Sequence, residues 1–474
     1  MEVNLPPSKS IANRAIALAS LARGESMLGG LSPDGLPDDV AVMLGAIRTL
    51  GVEAEYVEGG LRIFHQAAFN ECSLVVHRGP ARPRPRPSPD PLDVRSGRNE
   101  SALRSRPSST YCHKLDRDLV LGGASFAPSD VLNVGAAGTA LRFLLPLVAL
   151  HCHCPVRFKG DSRLFERPLA PLLAALAACG ASWEAEDSGG LLVPAAKVPS
   201  RIDLEIDGSL SSQFASGLAM AMAGLPDGGA LKWTGHAASR GYLALTRSAL
   251  EAFHCPARLS EGSFVVPGGA LRQASIAIPG DWSAAAPFFC AAAVLGRRVE
   301  ACPLLPGDGQ ADRAILEILG QCGSSWAFRD ASCVFDGRLE RGFDADLSDC
   351  PDLAPVLAAA AAAAPGPSEL RGLGGLPHKE SDRLEGIRRL IAWAGGRIDE
   401  LPGHAVRIRP AANTKPTEPP APFDPKGDHR MAFAAAVASL HNGGEVSDRA
   451  CVTKSFPAFW KEWRDSRLDG RRQT

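Results

Sequence analysis

Eight basic side chains stand at or near the starts of helical segments, where they could bind a substrate with several negative charges. They are Lys9, Arg14, Arg142, Arg167, Lys379, Arg383, Arg430 and Lys454. Lysine and arginine bind carboxylates and phosphates, and arginine can do so with two parallel hydrogen bonds. Asp352 and Glu380 are the acids nearest to these residues in sequence, and carboxylates among cations can stay ionised and carry protons. The pattern predicts a site for an anionic substrate.

These basic residues belong to a repeated pattern in which a short polar element leads into an Ala- and Leu-rich helix. The sequence predicts six such helices, over residues 11–22, 140–149, 214–223, 284–295, 353–364 and 431–440. From the second onward they start about 70 residues apart, which is typical of a repeated α+β unit. Strand-like runs lie between them at 204–206, 264–266, 275–278 and 405–408. Six copies indicate two pseudo-symmetric halves.

The start of each predicted helix is itself suited to anions. A helix N-terminus exposes unpaired N–H groups and the positive end of the helix dipole, so several converging on a cleft would bind negative charge. For a single helix, Ser, Thr or Asp at the start is ordinarily only an N-cap. Six such starts with basic residues alongside favour a binding cleft instead.

Composition excludes several classes of protein. The chain has 474 residues, 45% hydrophobic and 22% charged, which excludes a disordered protein. A net charge of −1 argues against a nucleic-acid partner. The twelve cysteines are scattered, and the cluster at 151–154 lacks the second Cys/His pair of a zinc site, so no metal is expected. No signal peptide opens the chain and its most apolar stretch, 353–364, is too short to span a membrane, so we expect a cytoplasmic location and no membrane partner.

Residues 78–112 differ from the rest of the chain. Eight Arg and seven Pro alternate there with Ser and Gly, without helical or strand periodicity. This composition predicts a solvated insertion, with a basic arm for an acidic partner as the less favoured interpretation.

Seven segments, in order, resemble the signature motifs of the 5-enolpyruvylshikimate-3-phosphate synthase family. They are LPPSKSIANRA (5–15), GAAGTALR (135–142), ERP (166–168), DGSLSSQF (207–214), KESDRL (379–384), DHRM (428–431) and KSFP (454–457). The resemblance runs from about residue 3 to residue 459 and omits only the Arg/Pro-rich insertion. Each motif alone is moderately specific, whereas seven in order are strong.

The resemblance implies an α/β (α+β) fold of two pseudo-symmetric domains, each of three βαβαββ units, in the inside-out α/β barrel arrangement of enolpyruvyl transferases. The first domain would span 8–279, with the insertion 78–112, and bind shikimate 3-phosphate. The second would combine 1–7 with 280–474. The implied enzyme is a 3-phosphoshikimate 1-carboxyvinyltransferase of aromatic amino acid biosynthesis. It transfers the enolpyruvyl group of phosphoenolpyruvate to the 5-hydroxyl of shikimate 3-phosphate as a monomer, without metal or cofactor.

The family's functional residues carry over to matching positions. By resemblance, shikimate 3-phosphate binds to Lys9, Ser10, Arg14, Ser211, Ser212, Gln213, Ser239, Tyr242, Asp352 and Lys379. Phosphoenolpyruvate binds to Lys9, Gly138, Arg167, Gln213, Arg383, Arg430 and Lys454. The catalytic residues would be Asp352, facing the 5-hydroxyl, and Glu380 with Lys9, which handle the C3 proton and the leaving phosphate.

Three departures from the family pattern stand close to these residues. Ala136 replaces the usual Asn, residues 376–378 (Leu-Pro-His) precede Lys379 where an Arg is usual, and Phe143 replaces a small residue or Pro. Two alternatives therefore stay open, namely the sister transferase that acts on UDP-N-acetylglucosamine and a homologue that binds without turnover. A third, a domain of a multifunctional polypeptide, is disfavoured because the fold takes up the chain length.

Overall fold

The structure is a computed structural model that describes residues 2–65, 131–186, 189–195, 199–207, 211–234, 240–269, 271–410 and 418–468. These residues belong to one compact unit. The Arg/Pro-rich insertion at 78–112, residues 208–210 of one motif and Ser239 lie outside the described residues.

Strands and helices alternate along the chain. The strands are β1 Glu2–Asn4, β2 Gly24–Gly29, β3 Glu53–Val57, β4 Gly60–His65, β5 Val131–Asn133, β6 Val156–Lys159, β7 Glu184–Ala185, β8 Leu191–Val193, β9 Ile202–Asp207, β10 Gly229–Thr234, β11 Arg258–Leu259, β12 Ser263–Val266, β13 Ser275–Ala277, β14 Arg298–Cys302, β15 Gly323–Arg329, β16 Ser332–Leu339, β17 Asp344–Asp346, β18 Ser368–Arg371, β19 Arg397–Leu401 and β20 Ala405–Arg409. The helices are α1 Lys9–Leu21, α2 Asp38–Thr49, α3 Gly138–His151, α4 Ser162–Glu166, α5 Ala170–Ala178, α6 Ser212–Ala223, α7 Arg240–Ala252, α8 Trp282–Leu295, α9 Ile315–Gly320, α10 Ala354–Ala363, α11 Arg383–Trp393, α12 His429–Asn442 and α13 Phe459–Asp465.

The described strands form five four-stranded sheets with one shared pattern. In each sheet a parallel pair is followed by two antiparallel neighbours. The orders are β13-β2-β4-β3, β5-β6-β8-β7, β9-β10-β12-β11, β1-β14-β16-β15 and β17-β18-β20-β19. A sixth, shortened copy surrounds α12, where Phe423 and Val446 form an isolated parallel bridge.

Two of these sheets exchange their first strands. The strand β1 pairs in parallel with β14, about 300 residues later in the chain, whereas β13 pairs with β2. The chain therefore passes between the two groups of sheets twice, once between β1 and α1 and once between β13 and α8. Ser8 N–H donates to the Pro279 carbonyl (2.7 Å) and Asp281 N–H donates to the Pro6 carbonyl (3.1 Å), which joins the two crossings.

The helices form the interior and the sheets form the outside. Almost every residue of α3, α6, α8 and α12 is buried, whereas β1, β5 and β17 alternate exposed and buried positions. Small residues let these helices approach closely: a Cβ on Gly217 of α6 would lie 2.4 Å from the Arg142 carbonyl oxygen of α3. A helix buried on all faces reads as uniformly apolar, which explains the Ala- and Leu-rich runs.

Two separate clusters of buried hydrophobic side chains pack between these elements. One contains residues from Ala12 to Ile278, and the other joins Val3 and Leu5 to residues from Trp282 to Leu468. In the described part of the chain, no helix has both the length and the apolar character needed to cross a membrane.

The predicted helices and strands are confirmed, with adjusted ends. The helix expected at 353–364 begins with a separate 3-10 turn, Pro351–Leu353, and continues as α10. Pro355 lies at the second position of α10, where a missing N–H costs nothing. The strand-like runs at 204–206, 264–266, 275–278 and 405–408 correspond to β9, β12, β13 and β20.

Candidate active site

Asp352, in the 3-10 turn before α10, is the centre of one group of charges. Its Oδ1 lies 2.8 Å from Arg383 Nη1 and 3.4 Å from Lys379 Nζ, and its Oδ2 lies 3.1 Å from Arg430 Nη2. Tyr242 of α7 donates its hydroxyl to Oδ2 at 3.3 Å. Burial alone would raise the pKa of Asp352, but Arg430, Lys379 and Arg383 outweigh it and hold the pKa well below its ordinary value. The Asp352 carboxylate is therefore ionised.

Glu380 is the centre of a second group. Lys454 Nζ lies 3.4 Å from Oε1, and His429 Nδ1 lies 3.0 Å from Oε2. Burial opposes the charge of Glu380, but His429, Lys454 and Lys9 together hold its pKa well below the ordinary value. Burial lowers the pKa of His429, with Glu380 opposing the shift, and Nδ1–H of His429 donates because the ionised Glu380 only accepts.

Lys9 opens α1 and pairs with Asp39 of α2, at 2.9 Å between Nζ and Oδ2. Burial would lower the pKa of Lys9, but Asp39 and Glu380 outweigh burial and raise it. Lys9 is consequently a protonated side chain within the field of Glu380. Ser10, the next residue, is half-buried, and its carbonyl accepts from Arg14.

Arg383 joins the two groups through Asp428. Its Nε and Nη2 donate to Asp428 Oδ2 and Oδ1 at 2.8 and 3.2 Å, a bidentate pair, while its Nη1 holds Asp352. Asp428 also caps α12 by accepting from Arg430 N–H at 2.9 Å. Glu380, Asp428 and His429 bring ligand-type atoms within 4.8 Å of one another, but Arg383 and Lys454 occupy the carboxylates, which disfavours an added cation.

Opposite these acids lies a group of cations without a carboxylate partner. A Cβ on Gly138, the first residue of α3, would lie 2.6 Å from Arg167 Nη1 and 2.7 Å from Arg142 Nη1. Both arginines bury an Nε without a hydrogen-bond partner, and neither has a salt bridge within the described residues. Burial and the neighbouring Arg167 lower the pKa of Arg142 to about 9. An anion is the ligand that such an arrangement accommodates.

Gln213 and Lys454 border this group. Gln213, in the first turn of α6, accepts from Arg142 Nη1 at 3.2 Å and donates to the Thr139 hydroxyl at 3.2 Å. Lys454 donates to the Ala136 carbonyl at 3.0 Å. Lys454 thus spans from Glu380 to the loop before α3.

The residues expected around shikimate 3-phosphate lie beside these groups, with one exception. Ser211 caps α6 by accepting from Gln213 N–H at 3.3 Å, and Ser212 is buried next to it. Arg14 is buried but donates to Thr246 Oγ1, the Ser10 carbonyl, Ser216 Oγ and the Tyr242 carbonyl, so one of its five N–H groups is left for a ligand. Ser239 cannot be placed, because it lies outside the described residues.

The sequence interpretation missed several participants. Arg142 was singled out as basic without a binding role, although its place four residues after Gly138 puts both on one helix face. Asp428 and His429 directly precede Arg430 in the motif DHRM, but the motif gave no role for them. Asp39 gave no signal, because an acid in the first turn of a helix is ordinary.

The sequence matches the model of one known protein family. The family model for EPSP synthase (3-phosphoshikimate 1-carboxyvinyltransferase) matches residues 1–73 and 114–463. The chain belongs to the EPSP synthase family. The interruption in the match contains the Arg/Pro-rich insertion at 78–112, which is an addition to the family's sequence.

Several relatives match over nearly their whole length. The 3-phosphoshikimate 1-carboxyvinyltransferase of Methanopyrus kandleri is 32% identical over 96% of this chain and 93% of its own. The enzyme of that name from Syntrophobacter fumaroxidans is 30% identical over 97% and 95%. The EPSP synthase structure from Acinetobacter baumannii superposes with a TM-score of 0.69 at 20% identity, over 98% of this chain and 95% of that one. The fold is therefore the two-domain inside-out α/β fold of EPSP synthases.

The three departures from the EPSP synthase motifs leave the charged groups in place. The carbonyl of Ala136 binds Lys454, and Pro377 lies in a 3-10 turn, Leu376–His378, after which Lys379 still reaches Asp352. Phe143 is fully buried inside an unbroken α3, with its ring centroid 5.1 Å from the Arg14 guanidinium carbon. Its aromatic face stabilises this buried cation.

Proposed function

We propose that this chain transfers the enolpyruvyl group of phosphoenolpyruvate to the 5-hydroxyl of shikimate 3-phosphate and releases phosphate. The observation that carries the proposal is the meeting of two ionised carboxylates, Asp352 and Glu380, with the unpaired cations Arg142 and Arg167. The cations suit a substrate that bears both a carboxylate and a phosphate. The carboxylates supply proton acceptors beside it.

The reaction needs a proton to arrive at C3 of the enol while the 5-hydroxyl loses its proton and attacks C2. The tetrahedral intermediate then loses a C3 proton and expels phosphate as the C2–O bond to phosphate breaks. Asp352 is the base for the 5-hydroxyl, because it is ionised. Since Glu380 is also ionised, the proton that arrives at C3 comes from a protonated group. Lys9 is such a group, because Asp39 and Glu380 raise its pKa. Glu380 then accepts the departing C3 proton and returns it to Lys9, while the proton that Asp352 took from the 5-hydroxyl leaves with phosphate.

The remaining contacts are proposed from matching motifs together with placement in the structure. Phosphoenolpyruvate binds to Gly138, Arg167, Gln213, Arg383, Arg430, Lys454 and Lys9. Shikimate 3-phosphate binds to Ser10, Arg14, Ser211, Ser212, Tyr242, Lys379, Asp352, Lys9 and Gln213, and to Ser239 on the family resemblance alone. The unpaired Nε groups of Arg167 and Arg430 support the first assignment. Arg14 contributes mainly its charge, because its donors are largely used within the protein.

The domains are proposed to be 8–279 and 1–7 with 280–474. The two separate hydrophobic clusters and the exchanged strands β1 and β13 support these limits.

On the family resemblance alone, we propose a monomer in the cytoplasm. Size-exclusion chromatography with light scattering and cell fractionation would contradict this if they gave a dimer or a membrane fraction.

The deciding experiment measures phosphate release with phosphoenolpyruvate and shikimate 3-phosphate, beside a reaction with UDP-N-acetylglucosamine. We expect release only with shikimate 3-phosphate. Asp352→Asn keeps the shape of the side chain and removes the base, so the rate should fall about 10²- to 10⁴-fold. Asp336→Asn is the matched control, because Asp336 is an exposed residue of β16 that pairs only with Arg298 at the surface.

Two results would contradict the proposal. Release that depends on UDP-N-acetylglucosamine would assign the chain to the sister reaction. Calorimetric binding of both substrates without release would mean that the cleft binds without turnover.

A further inference from the structure

One glutamine that no motif assigns adds side-chain hydrogen bonds to the backbone bonds that join the two crossings of the chain. Gln310 lies in the loop after β14, before the 3-10 turn Ala311–Ala314, and is 9% exposed. Its Oε1 accepts from the Ser8 hydroxyl at 2.8 Å and from Trp282 N–H at 3.3 Å. Its Nε2 donates to the Gly280 carbonyl at 2.8 Å and to Asp308 at 2.8 Å. One side chain thus binds both crossing segments, and all its partners but Asp308 belong to them.

These bonds change how α1 begins. Ser8 is at the N-cap position of α1, but its hydroxyl makes no capping bond and donates to Gln310 instead. The cap comes instead from the other crossing, where Asp281 Oδ2 accepts from Lys9 N–H at 3.2 Å. The other oxygen of Asp281 caps α8 by accepting from Ala284 N–H at 3.0 Å. The first turn of α1, which presents Lys9, is therefore fixed by residues that follow β13.

We propose that Gln310 is a positioning residue, which locks the two crossings together and thereby fixes Lys9 relative to Glu380 and Asp352. Gln310 does this through Ser8 on one side and through Gly280 and Trp282 on the other. The amide is required because it both accepts and donates. A carboxylate could not donate to the Gly280 carbonyl and would face Asp308.

Hydrogen exchange tests this lock directly in the full-length protein without substrate. Gln310→Met keeps the approximate volume and removes all four hydrogen bonds. We expect the amides of Ser8, Lys9 and Asp281 to exchange about tenfold faster, with α6 and α12 unchanged. Gln321→Met is the matched control, because Gln321 is exposed at the end of α9. Equal exchange in both variants would overturn the lock.

Steady-state kinetics tests the link to Lys9, and this part rests on the proposed function. Gln310→Met should lower kcat about tenfold while each KM changes less than about threefold, because a misplaced Lys9 affects the transition state more than substrate binding. If Gln310 acts through Ser8, Ser8→Ala should add little to the loss in the double variant. Losses that multiply, or faster exchange with unchanged kcat, would overturn the positioning role.

The two possible failures are distinguishable. If the wild-type protein releases no phosphate, the proposed function fails, while hydrogen exchange still decides whether the lock exists. If Gln310→Met does not fold, Ser8→Ala alone decides. It removes one of the four bonds and should speed exchange at Lys9 and Asp281, and unchanged exchange there would overturn the lock.

Discussion

At the residue scale, the site holds carboxylates and cations where little solvent can screen their charges. Asp352 and Glu380 stay ionised although buried, because each is surrounded by cations. Arg142 is buried and Arg167 is half-buried, and within the described residues neither has a salt bridge to a carboxylate, which leaves their charge for a ligand. An unpaired buried cation is costly, so substrate binding is expected to stabilise the fold.

Asp312 is a buried acid next to this site, and its burial should destabilise the folded state in a pH-dependent way. Ser283 donates to one of its oxygens, and the other oxygen is buried without a partner. Burial raises the pKa of Asp312 to about 6, with Asp352 and Asp281 adding to the rise and Arg430 opposing it. Because this pKa is raised on folding, the folded state binds more protons, and stability falls as pH rises from about 4 to 6.

Asp312→Asn removes that cost. The gain in unfolding free energy over wild type should be about 1–2 kcal/mol larger at pH 7.5 than at pH 5. Denaturant unfolding at the two pH values measures it. Asp346→Asn is the control, because the Ser348 hydroxyl lowers the pKa of Asp346, so its effect should be the same at both pH values. A gain for Asp312→Asn that is equal at both pH values would contradict the prediction.

At the element scale, helix starts place the chemistry. Five residues of the site lie in the first turn of a helix, namely Lys9, Gly138, Gln213, Arg383 and Arg430. The rest of α1, α3, α6 and α12 is largely buried, whereas α11 buries one face. A helix packed in a core cannot shift without disturbing its neighbours, so the positions of these residues are fixed by the packing of the core. Each sheet then covers its helices from outside.

The start of α3 carries a prediction of its own. Gly138→Ala places a methyl group 2.6 Å from Arg167 Nη1 and 2.7 Å from Arg142 Nη1, closer than real Cβ contacts allow. The guanidinium groups must move, so KM for phosphoenolpyruvate should rise about tenfold or more, which corresponds to 1.4 kcal/mol per factor of ten. KM for shikimate 3-phosphate should change less.

Gly45→Ala is the matched control for Gly138→Ala. Gly45 is also helical, in α2, and nothing lies within 4 Å of the Cβ that alanine would add. This substitution should leave both KM values unchanged and slightly stabilise the protein. Equal KM values in the two variants would show that the two arginines do not bind phosphoenolpyruvate.

The six helices and the acidic and basic residues of the site could be predicted from sequence, whereas some pairings could not. The run from Asp428 to Leu440 shows a polar start, which includes Arg430, and an apolar continuation, which is a local signal. The strand β1 pairs through three residues, and their partners in β14 lie about 300 positions later in the sequence. A run of three residues is too short to show the periodicity that would predict a strand. The Lys9–Asp39 ion pair is likewise a product of the fold, since neither residue marks the other in sequence.

At the scale of the whole molecule, polar contacts join the two parts of the chain that hold the two hydrophobic clusters. Tyr242, in the part from Lys9 to Ile278, donates to Asp352 in the part that follows. Lys454 binds the Ala136 carbonyl, and Thr453 donates its hydroxyl to Asp38 Oδ2 at 2.6 Å. These bonds hold the two groups of sheets together across the site. Contacts of this kind lower the cost of closing the site around a ligand.

Thr453→Val tests whether these contacts hold the site in a closed form, since valine keeps the shape and removes the donor to Asp38. One exposed hydrogen bond contributes about 0.5–1.5 kcal/mol, so the closed population should fall about 2- to 10-fold. Because only the closed form binds productively, kcat/KM for phosphoenolpyruvate should fall by the same factor, with an unchanged melting temperature. Thr49→Val is the control, since the Thr49 hydroxyl donates only to Gly45 within α2. A kcat/KM that matches this control would mean that the substrates alone drive closure.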